Sequence, residues 1–241
     1  MRNAVTPKAL LTLPFILLVC GLVPSPARGD IIFQASGSNA DGPTSAQANF
    51  VLGNGSITIT LTNLVANEHS IGQAISQFTF QVNPPMTLSP TLTNVSGTLI
   101  DITSNGTITP PTAPSTTWAL TTTLNPTTLT VFNGGKPTEL IVGMPTNGAY
   151  DPSMGNGGGG LPQHSPVFEG SATFTISDPN LSMNTQISNV VFYFGTGPES
   201  HLNGSPVVPE PPSVVLGMIG LAGLGFTGLR RWIRRKAVAL A

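Results

Sequence analysis

The side chains that could carry chemistry in this chain of 241 residues are few and far apart in the sequence. The three histidines, His69, His164 and His201, lie 95 and 37 residues apart, which is not the short spacing of a metal-binding pair. A Ser-His-Asp site would have to combine His164 with Asp151 and one of many serines, and no G-x-S-x-G segment marks a nucleophile. We therefore predict no catalytic residues and a protein that is not an enzyme. A glycosidase or lyase stays open as the enzyme class, since the sequence alone does not pair its scattered acids.

Acidic residues dominate the charge of the middle of the chain. Between Asp30 and Val207 one basic residue, Lys136, stands against nine acids, which gives a formal charge of about −8. A surface of this sign repels nucleic acid, so we expect no DNA or RNA partner. Calcium suits an acidic extracellular domain, and Asp178 and Asp151 are the candidate ligands. Because no D-x-D-x-D-G segment occurs, we predict no metal site, and no motif indicates a cofactor. The nine acids are Asp30, Asp41, Glu68, Asp101, Glu139, Asp151, Glu169, Asp178 and Glu199.

Aromatic residues are the remaining side chains with a recognisable binding use. Before the C-terminal segment the tryptophans and tyrosines are Trp118, Tyr150 and Tyr193. An exposed ring beside polar groups can bind a sugar, whereas a ring in the core or at a sheet edge serves packing. The alternative function is therefore an anchored carbohydrate-binding module for extracellular polysaccharide. The simpler interpretation is that all three rings pack in the core or at a sheet edge.

The elements that must position these residues are predicted to be β-strands. Ser56 to Thr62 alternates apolar residues with threonine after its opening serine, the pattern of a half-buried strand, and Gly53-Asn54-Gly55 before it is typical of a hairpin turn. The sequence predicts an all-β fold, a single β-sandwich or jelly-roll-like ectodomain over residues 30–200, followed by a linker over 201–208. The other predicted strands are Ile31–Ala35, Ala48–Leu52, Ile75–Val82, Ser96–Ile102, Thr117–Thr123, Thr128–Phe132, Glu139–Gly143, Gly170–Ser177 and Ile187–Phe194, and the segments predicted to be irregular are 84–90, 109–115 and 145–166.

Residues 1–29 have the layout of a secretory signal peptide. Two basic residues precede an apolar stretch from Ala9 to Val23, and Ala27-Arg28-Gly29 offers small residues at a cleavage site. A retained membrane helix is one alternative, and Cys20, the single cysteine, leaves a lipoprotein signal as another. If the segment is removed, the mature chain has no thiol, which excludes disulfides and cysteine catalysis.

The C-terminal end combines a proline-rich motif, an apolar run and a basic cluster. Pro209-Glu210-Pro211 precedes the uncharged run from Val214 to Leu229, which would be about 24 Å long as a helix. The run is apolar all round and is followed by five basic residues over 230–236, so we predict one transmembrane helix with its end in the cytoplasm. A hydrophobic helix packed on the domain and a plain proline-rich stalk before an ordinary anchor are the alternatives.

The motif, the span and the cluster over residues 209–236 resemble the PEP-CTERM sorting signal of bacterial surface proteins. In that family the signal is thought to be read by an exosortase, a membrane-embedded cysteine transpeptidase-like enzyme. Pro212 departs from the commoner pattern, in which a small residue follows the second proline, and leaves the tripeptide intact. The resemblance implies a recognition motif of Pro209, Glu210 and Pro211 and a membrane retention cluster of Arg230, Arg231, Arg234 and Arg235.

These observations predict an exported, C-terminally anchored bacterial surface or matrix protein with no catalytic activity of its own. Its expected partners are the secretion machinery, an exosortase-like membrane enzyme, the membrane through the C-terminal helix, and exopolysaccharide. We expect it to be exported across the inner membrane, anchored before processing, and then held on the cell surface or in the extracellular matrix.

Overall fold

The structure of the protein is a computed structural model. The structure describes residues 30–87, 89–112, 117–122, 126–132, 136–151, 160–197 and 200–207. Within these ranges the chain is built of β-strands, with two short 3-10 turns at Ile71–Gln73 and Leu161–His164 and no α-helix. The predicted all-β class is therefore confirmed.

Thirteen strands form one large mixed sheet. The strands are β1 (Ile31–Asn39), β2 (Gly42–Gly53), β3 (Ser56–Asn63), β4 (Ile75–Asn83), β5 (Thr91–Ile102), β6 (Ile108–Thr109), β7 (Ala119–Thr122), β8 (Thr127–Thr130), β9 (Ile141–Val142), β10 (Val167–Ser177), β11 (Gln186–Phe194), β12 (Ser200–Asn203) and β13 (Ser205–Val207).

The sheet has two wings that meet at the short strand β9. The first wing runs β13-β1-β2-β3-β10-β5, with β6 at its end, and the second runs β12-β11-β4-β8-β7. Strand β9 joins them because it pairs in parallel with β10 and antiparallel with β4. The other pairings are antiparallel, which suits consecutive strands joined by tight turns. At the β2–β3 hairpin, Gly53 pairs with Ser56 and Gly55 supplies the positive φ that the two-residue turn requires.

Strict alternation along the strands builds the core. In β3, Ile57, Ile59 and Leu61 are buried, while the threonines between them face outward and are half-buried. Threonine suits such positions because its branched side chain packs on a pleated surface. Residues that share the inner face of β2 and β10 complete this wall: Ala46, Ala48, Phe50, Ala172, Phe174 and Ile176.

Five phenylalanine rings hold the two wings together, and we call them the aromatic core: Phe33, Phe50, Phe78, Phe80 and Phe192. The Phe50 ring of the first wing lies 5.9 Å from Phe78 and 5.5 Å from Phe80 of the second wing, centroid to centroid. Both separations lie within the range of interacting aromatic pairs, and the Phe50–Phe80 pair is close to edge-to-face. The wings therefore contact each other through buried large rings, whose removal from water is favourable.

All ten predicted strands are present, several of them longer than predicted, and three more occur. Strand β2 begins at Gly42 rather than Ala48 because its first inward residues are the small side chains Thr44 and Ala46, which give a weak apolar signal. The described parts of the three segments predicted to be irregular lie outside the strands, apart from Thr109 at the end of β6.

The segment predicted as a linker over 201–208 is structured in its first seven residues. His201 pairs with Tyr193 of β11, and Val207 pairs with Ile32 of β1. The segment is short and polar and contains Pro206, so its sequence lacks strand signals; it is ordered by pairing with the edges of two longer strands. The folded body therefore extends to Val207.

Candidate functional site

The sorting motif and the retention cluster lie outside the described residues. Pro209, Glu210 and Pro211, the predicted span Val214 to Leu229 and the cluster over 230–236 therefore stay predictions from the sequence, as does the signal peptide over 1–29. Across the part of the chain that the structure describes, no helix is long and apolar enough to cross a membrane.

The structure separates the residues weighed for a Ser-His-Asp site. The buried His164 ring donates from Nδ1 to the backbone oxygen of Pro137 at 2.6 Å rather than contacting Asp151. Burial lowers the pKa of His164, which favours the neutral ring. Asp151 instead lies 3.3 Å from Nδ1 of the exposed His69. Among the described residues, the geometry around His164 therefore assembles no general base beside a nucleophile.

The acids weighed as metal ligands do not form a cluster. Asp178 is buried, and both of its carboxylate oxygens accept hydrogen bonds: Oδ2 from the backbone and hydroxyl of Thr87, and Oδ1 from the backbone N–H of Asn180 at 2.9 Å. This arrangement fixes the turn between β10 and β11 to the segment after β4. Within the described residues, no group of three histidine, cysteine or acidic side chains is placed to hold a metal ion.

Two of the three aromatic residues weighed as sugar platforms are buried. Trp118 is 5% exposed, and its ring lies tilted against that of Phe174 with 4.8 Å between the centroids; its Nε1 donates to the backbone oxygen of Glu139. Tyr150 is 2% exposed and donates to the backbone oxygen of Gly143 at 2.9 Å. Both rings therefore serve packing, and of the three only Tyr193, half-buried on the outer face of β11, is accessible to a ligand.

A groove of about 820 Å³ contains Tyr193, a volume in the range of small-molecule sites. It lies where the chain passes from β12 in the second wing to β13 in the first. Gly204 makes this crossing possible, since a Cβ there would lie 2.9 Å from Cγ1 of Val190. The backbone N–H of Gly204 donates to the oxygen of Val190 at 2.8 Å and fixes the crossing strand over β11.

A β-bulge in β11 shapes one side of the groove. Between the pairs Ser188–Gln81 and Val191–Thr79, β11 has one more residue than β4. Asn189 occupies the bulge with a φ of 49°, a left-handed conformation that asparagine tolerates better than most residues. Its Nδ2 donates to Oε1 of Gln81 at 2.5 Å, so the bulge directs an amide pair toward the outer face.

The outer face of β11 and β12 forms the floor of the groove, where amide side chains stand among apolar ones. Asn203 pairs with Val191 and His201 with Tyr193, so these side chains share one face, and the His201 ring lies 5.5 Å from the Tyr193 ring. Among the described residues that line the groove there is no aspartate, glutamate, lysine or arginine. Hydrogen-bonding amides beside a partly exposed ring can bind a neutral polar ligand, whereas glycoside hydrolysis uses paired carboxylates, which this lining does not contain.

A second feature is a buried polar group that we call the Asn63 cluster: Asn63, Glu68, Gln73, Tyr150 and the backbone of residues 141–143. The two hydrogens of Asn63 Nδ2 are shared among Oε1 of Glu68, the backbone oxygen of Gln73 at 2.9 Å and that of Ile141 at 3.1 Å. Oε1 of Glu68 also accepts from the N–H of Gly143 at 3.1 Å. The cluster thus ties the end of β3 to β9, the strand that joins the wings.

Burial controls the protonation of the Asn63 cluster. Glu68 is 0% exposed, and desolvation raises its pKa to about 8 despite the hydrogen bonds from Gly143 and Asn63. Among the described residues its Oε2 has no hydrogen-bond partner. Burial, with the nearby Glu68, also raises the pKa of Tyr150. A carboxyl sealed from solvent cannot meet a substrate, so we assign the cluster to structure rather than catalysis.

Neither feature was predicted from the sequence, although one signal was available. The alternation of β3 puts Ile57, Ile59 and Leu61 on the inner face, and the next inward position is Asn63. A polar side chain at a core position needs buried partners, so Asn63 predicts a network even though its members cannot be named from the sequence. The groove depends on a bulge and a crossing strand, which leave no periodic pattern.

Comparison with known proteins adds no relative: no family model, no curated protein and no solved structure matches this chain.

Proposed function

We propose that this chain is an exported bacterial surface or matrix protein that an exosortase-like enzyme sorts through its C-terminal signal. The observation that carries the proposal is the order of Pro209-Glu210-Pro211, the apolar run Val214 to Leu229 and the basic residues of 230–236. The protein would have no catalytic activity of its own. It would be anchored in the inner membrane first and held at the cell surface or in the matrix after processing.

The end of the folded body is compatible with this order of events. Strand β13 ends at Val207, where it pairs with β1, and the motif begins two residues later. A fully extended chain from Val207 to Val214 reaches at most about 25 Å. The anchor would therefore keep the folded body close to the membrane until it is removed. Proline at 209, 211 and 212 disfavours helix and sheet pairing, which suits a segment that another enzyme must grip.

We also propose that the two-winged body is a β-sandwich, with a jelly-roll topology as the finer prediction. Ring contacts such as Phe50 to Phe78 across the wings support the sandwich, because they place the inner faces of the wings against each other.

Mass spectrometry of the C-terminus of surface material tests the sorting proposal. We expect the mature protein to lack Arg230 to Ala241, and Glu210→Gln to retain that tail because it removes the charge of the recognised tripeptide. Glu199→Gln, at the nearest acid upstream, is the matched control and should be processed normally. An intact tail on all surface copies of the unmodified protein would exclude processing.

A further inference from the structure

We propose that the groove at the β11 bulge binds a neutral polysaccharide segment through Tyr193, Asn189 and Gln81. The inference goes beyond sorting, because it concerns the folded body and does not depend on whether the anchor is removed. It differs from the sugar platforms predicted from the sequence, since Trp118 and Tyr150 are buried in the core.

Charge decides between neutral and ionic ligands. None of the described residues that line the groove is charged. The body around it carries nine acids and one lysine between Asp30 and Val207, so an anionic polymer would be repelled by the body and would meet no cation in this lining. A cationic ligand would likewise meet no carboxylate among these lining residues. A ligand rich in uncharged hydroxyl groups fits these conditions.

The hydrogen-bonding groups match hydroxyls in type. An amide side chain offers both donors and an acceptor, so it can bind a sugar hydroxyl in either role. The bond from Asn189 Nδ2 to Gln81 Oε1 at 2.5 Å uses one donor and one acceptor and leaves the other groups of both amides for a ligand. Asn203, exposed at the end of β12, adds a third amide to the same face.

Tyr193 provides the apolar surface that a sugar ring needs. Its side chain is half-buried, so one part packs on the sheet while another faces the groove. The His201 ring, 5.5 Å away between centroids, supports it on the neighbouring strand. A ring held in this way binds at little entropic cost, because few side-chain rotations are left to lose.

The arrangement is carried by strands rather than by loops. Strand β11 pairs with both β12 and β4, and β13 pairs with β1. The crossing at Gly204 is held by the hydrogen bond from its N–H to the backbone oxygen of Val190. The polar groups are therefore in place before a ligand arrives, which is the condition for specific binding at an open groove.

Binding of the full-length protein, purified in detergent, to an array of neutral gluco-, galacto- and manno-oligosaccharides and to alginate oligomers tests the proposal. We expect at least one neutral series to bind and alginate not to bind. For the neutral series that binds, Tyr193→Ala should raise Kd about tenfold or more, and Gln81→Ala and Asn189→Gly should each raise it severalfold. Glycine is chosen at 189 because it keeps the left-handed backbone without strain.

Asn94→Ala is the matched control, since Asn94 is an exposed amide on β5 of the first wing, outside the groove. It should leave Kd unchanged. Thermal unfolding followed by circular dichroism identifies any variant that has lost the fold, and Gln81→Ala and Asn189→Gly keep the test valid if Tyr193→Ala is one of them. The proposal is overturned if no neutral series binds, if alginate binds best, or if the folded groove variants bind as the unmodified protein does. None of these results bears on processing, which the tail analysis measures separately.

Discussion

The aromatic core and the Asn63 cluster connect the same two wings by opposite means. In the aromatic core, Phe50 contacts three other rings at centroid separations of 5.5 to 5.9 Å, and this attraction depends on the area removed from water rather than on the pH. In the Asn63 cluster, buried amide, carboxyl and backbone groups depend on one another's hydrogen bonds and on a proton. One part of the connection between the wings is therefore set by packing and the other by solution conditions.

The largest expected effect follows from removing the central ring of the aromatic core. Phe50→Ala should lower the free energy of unfolding by about 3–5 kcal/mol, because the lost ring leaves a cavity that its neighbours cannot fill. Urea denaturation of the full-length protein in detergent, followed by circular dichroism, measures this. Val51→Ala, at a residue on the outer face that is 49% exposed, is the control and should cost less than about 0.5 kcal/mol. Similar losses for the two variants would show that the rings do not hold the wings together.

The aromatic core and the Asn63 cluster also differ in how far they could be predicted from the sequence. The wall of the aromatic core was predictable, since Ser56 to Thr62 alternates without interruption and alternation alone fixes which residues face inward. The distant partner of Asn63 was not, because Ile141 is 78 positions away and nothing local links the two. Strands β12 and β13 were not predicted for a related reason. They form because they pair with the edges of β11 and β1, and this pairing depends on the tertiary structure.

The groove, too, could be predicted from the sequence only in part. Tyr193 was named from the sequence as one of three rings, yet choosing it over Trp118 and Tyr150 required burial, which the sequence does not provide. Asn189 and Gln81 are 108 positions apart and meet only because β11 pairs with β4. Residue type therefore indicated the kind of ligand, while the pairing of distant strands indicated the place.

The second expected effect is a change in the pH dependence of stability. The pKa of Glu68 is raised to about 8 in the folded protein, whereas an unfolded glutamate titrates near about 4.3. Between these values the folded state keeps a proton that the unfolded chain has lost. Stability should therefore fall as the pH rises through this window, by up to about 1.4 kcal/mol per pH unit, and be fully present only below it.

Glu68→Gln should remove the part of this slope that Glu68 contributes, because glutamine keeps the acceptor for Asn63 and Gly143 and does not titrate. Urea midpoints of both proteins from about pH 5 to about pH 9 measure the difference across the window. Glu139→Gln is the control: burial also raises the pKa of Glu139, so this variant should lose its own share of the slope and keep that of Glu68. Parallel curves for the unmodified protein and Glu68→Gln would mean that Glu68 is not held in its protonated form.

The smallest of the three effects concerns Asn63 itself. Asn63→Ala removes the donors to Glu68, Gln73 and Ile141 and the acceptor for the N–H of Val65, and should cost about 1–3 kcal/mol at about pH 5. This loss of stability has two sources. Buried backbone groups are left without partners, and that contribution does not depend on the pH. The Glu68 carboxyl also loses a hydrogen-bond donor, and that contribution is largest when the carboxyl is ionised. Repeating Asn63→Ala in the Glu68→Gln background separates them. If the cost rises toward alkaline pH when Glu68 is present and stays constant in the Glu68→Gln background, the amide also stabilises the charged carboxyl. Equal costs in both backgrounds would mean that Asn63 acts through its backbone partners at Val65, Gln73 and Ile141 alone.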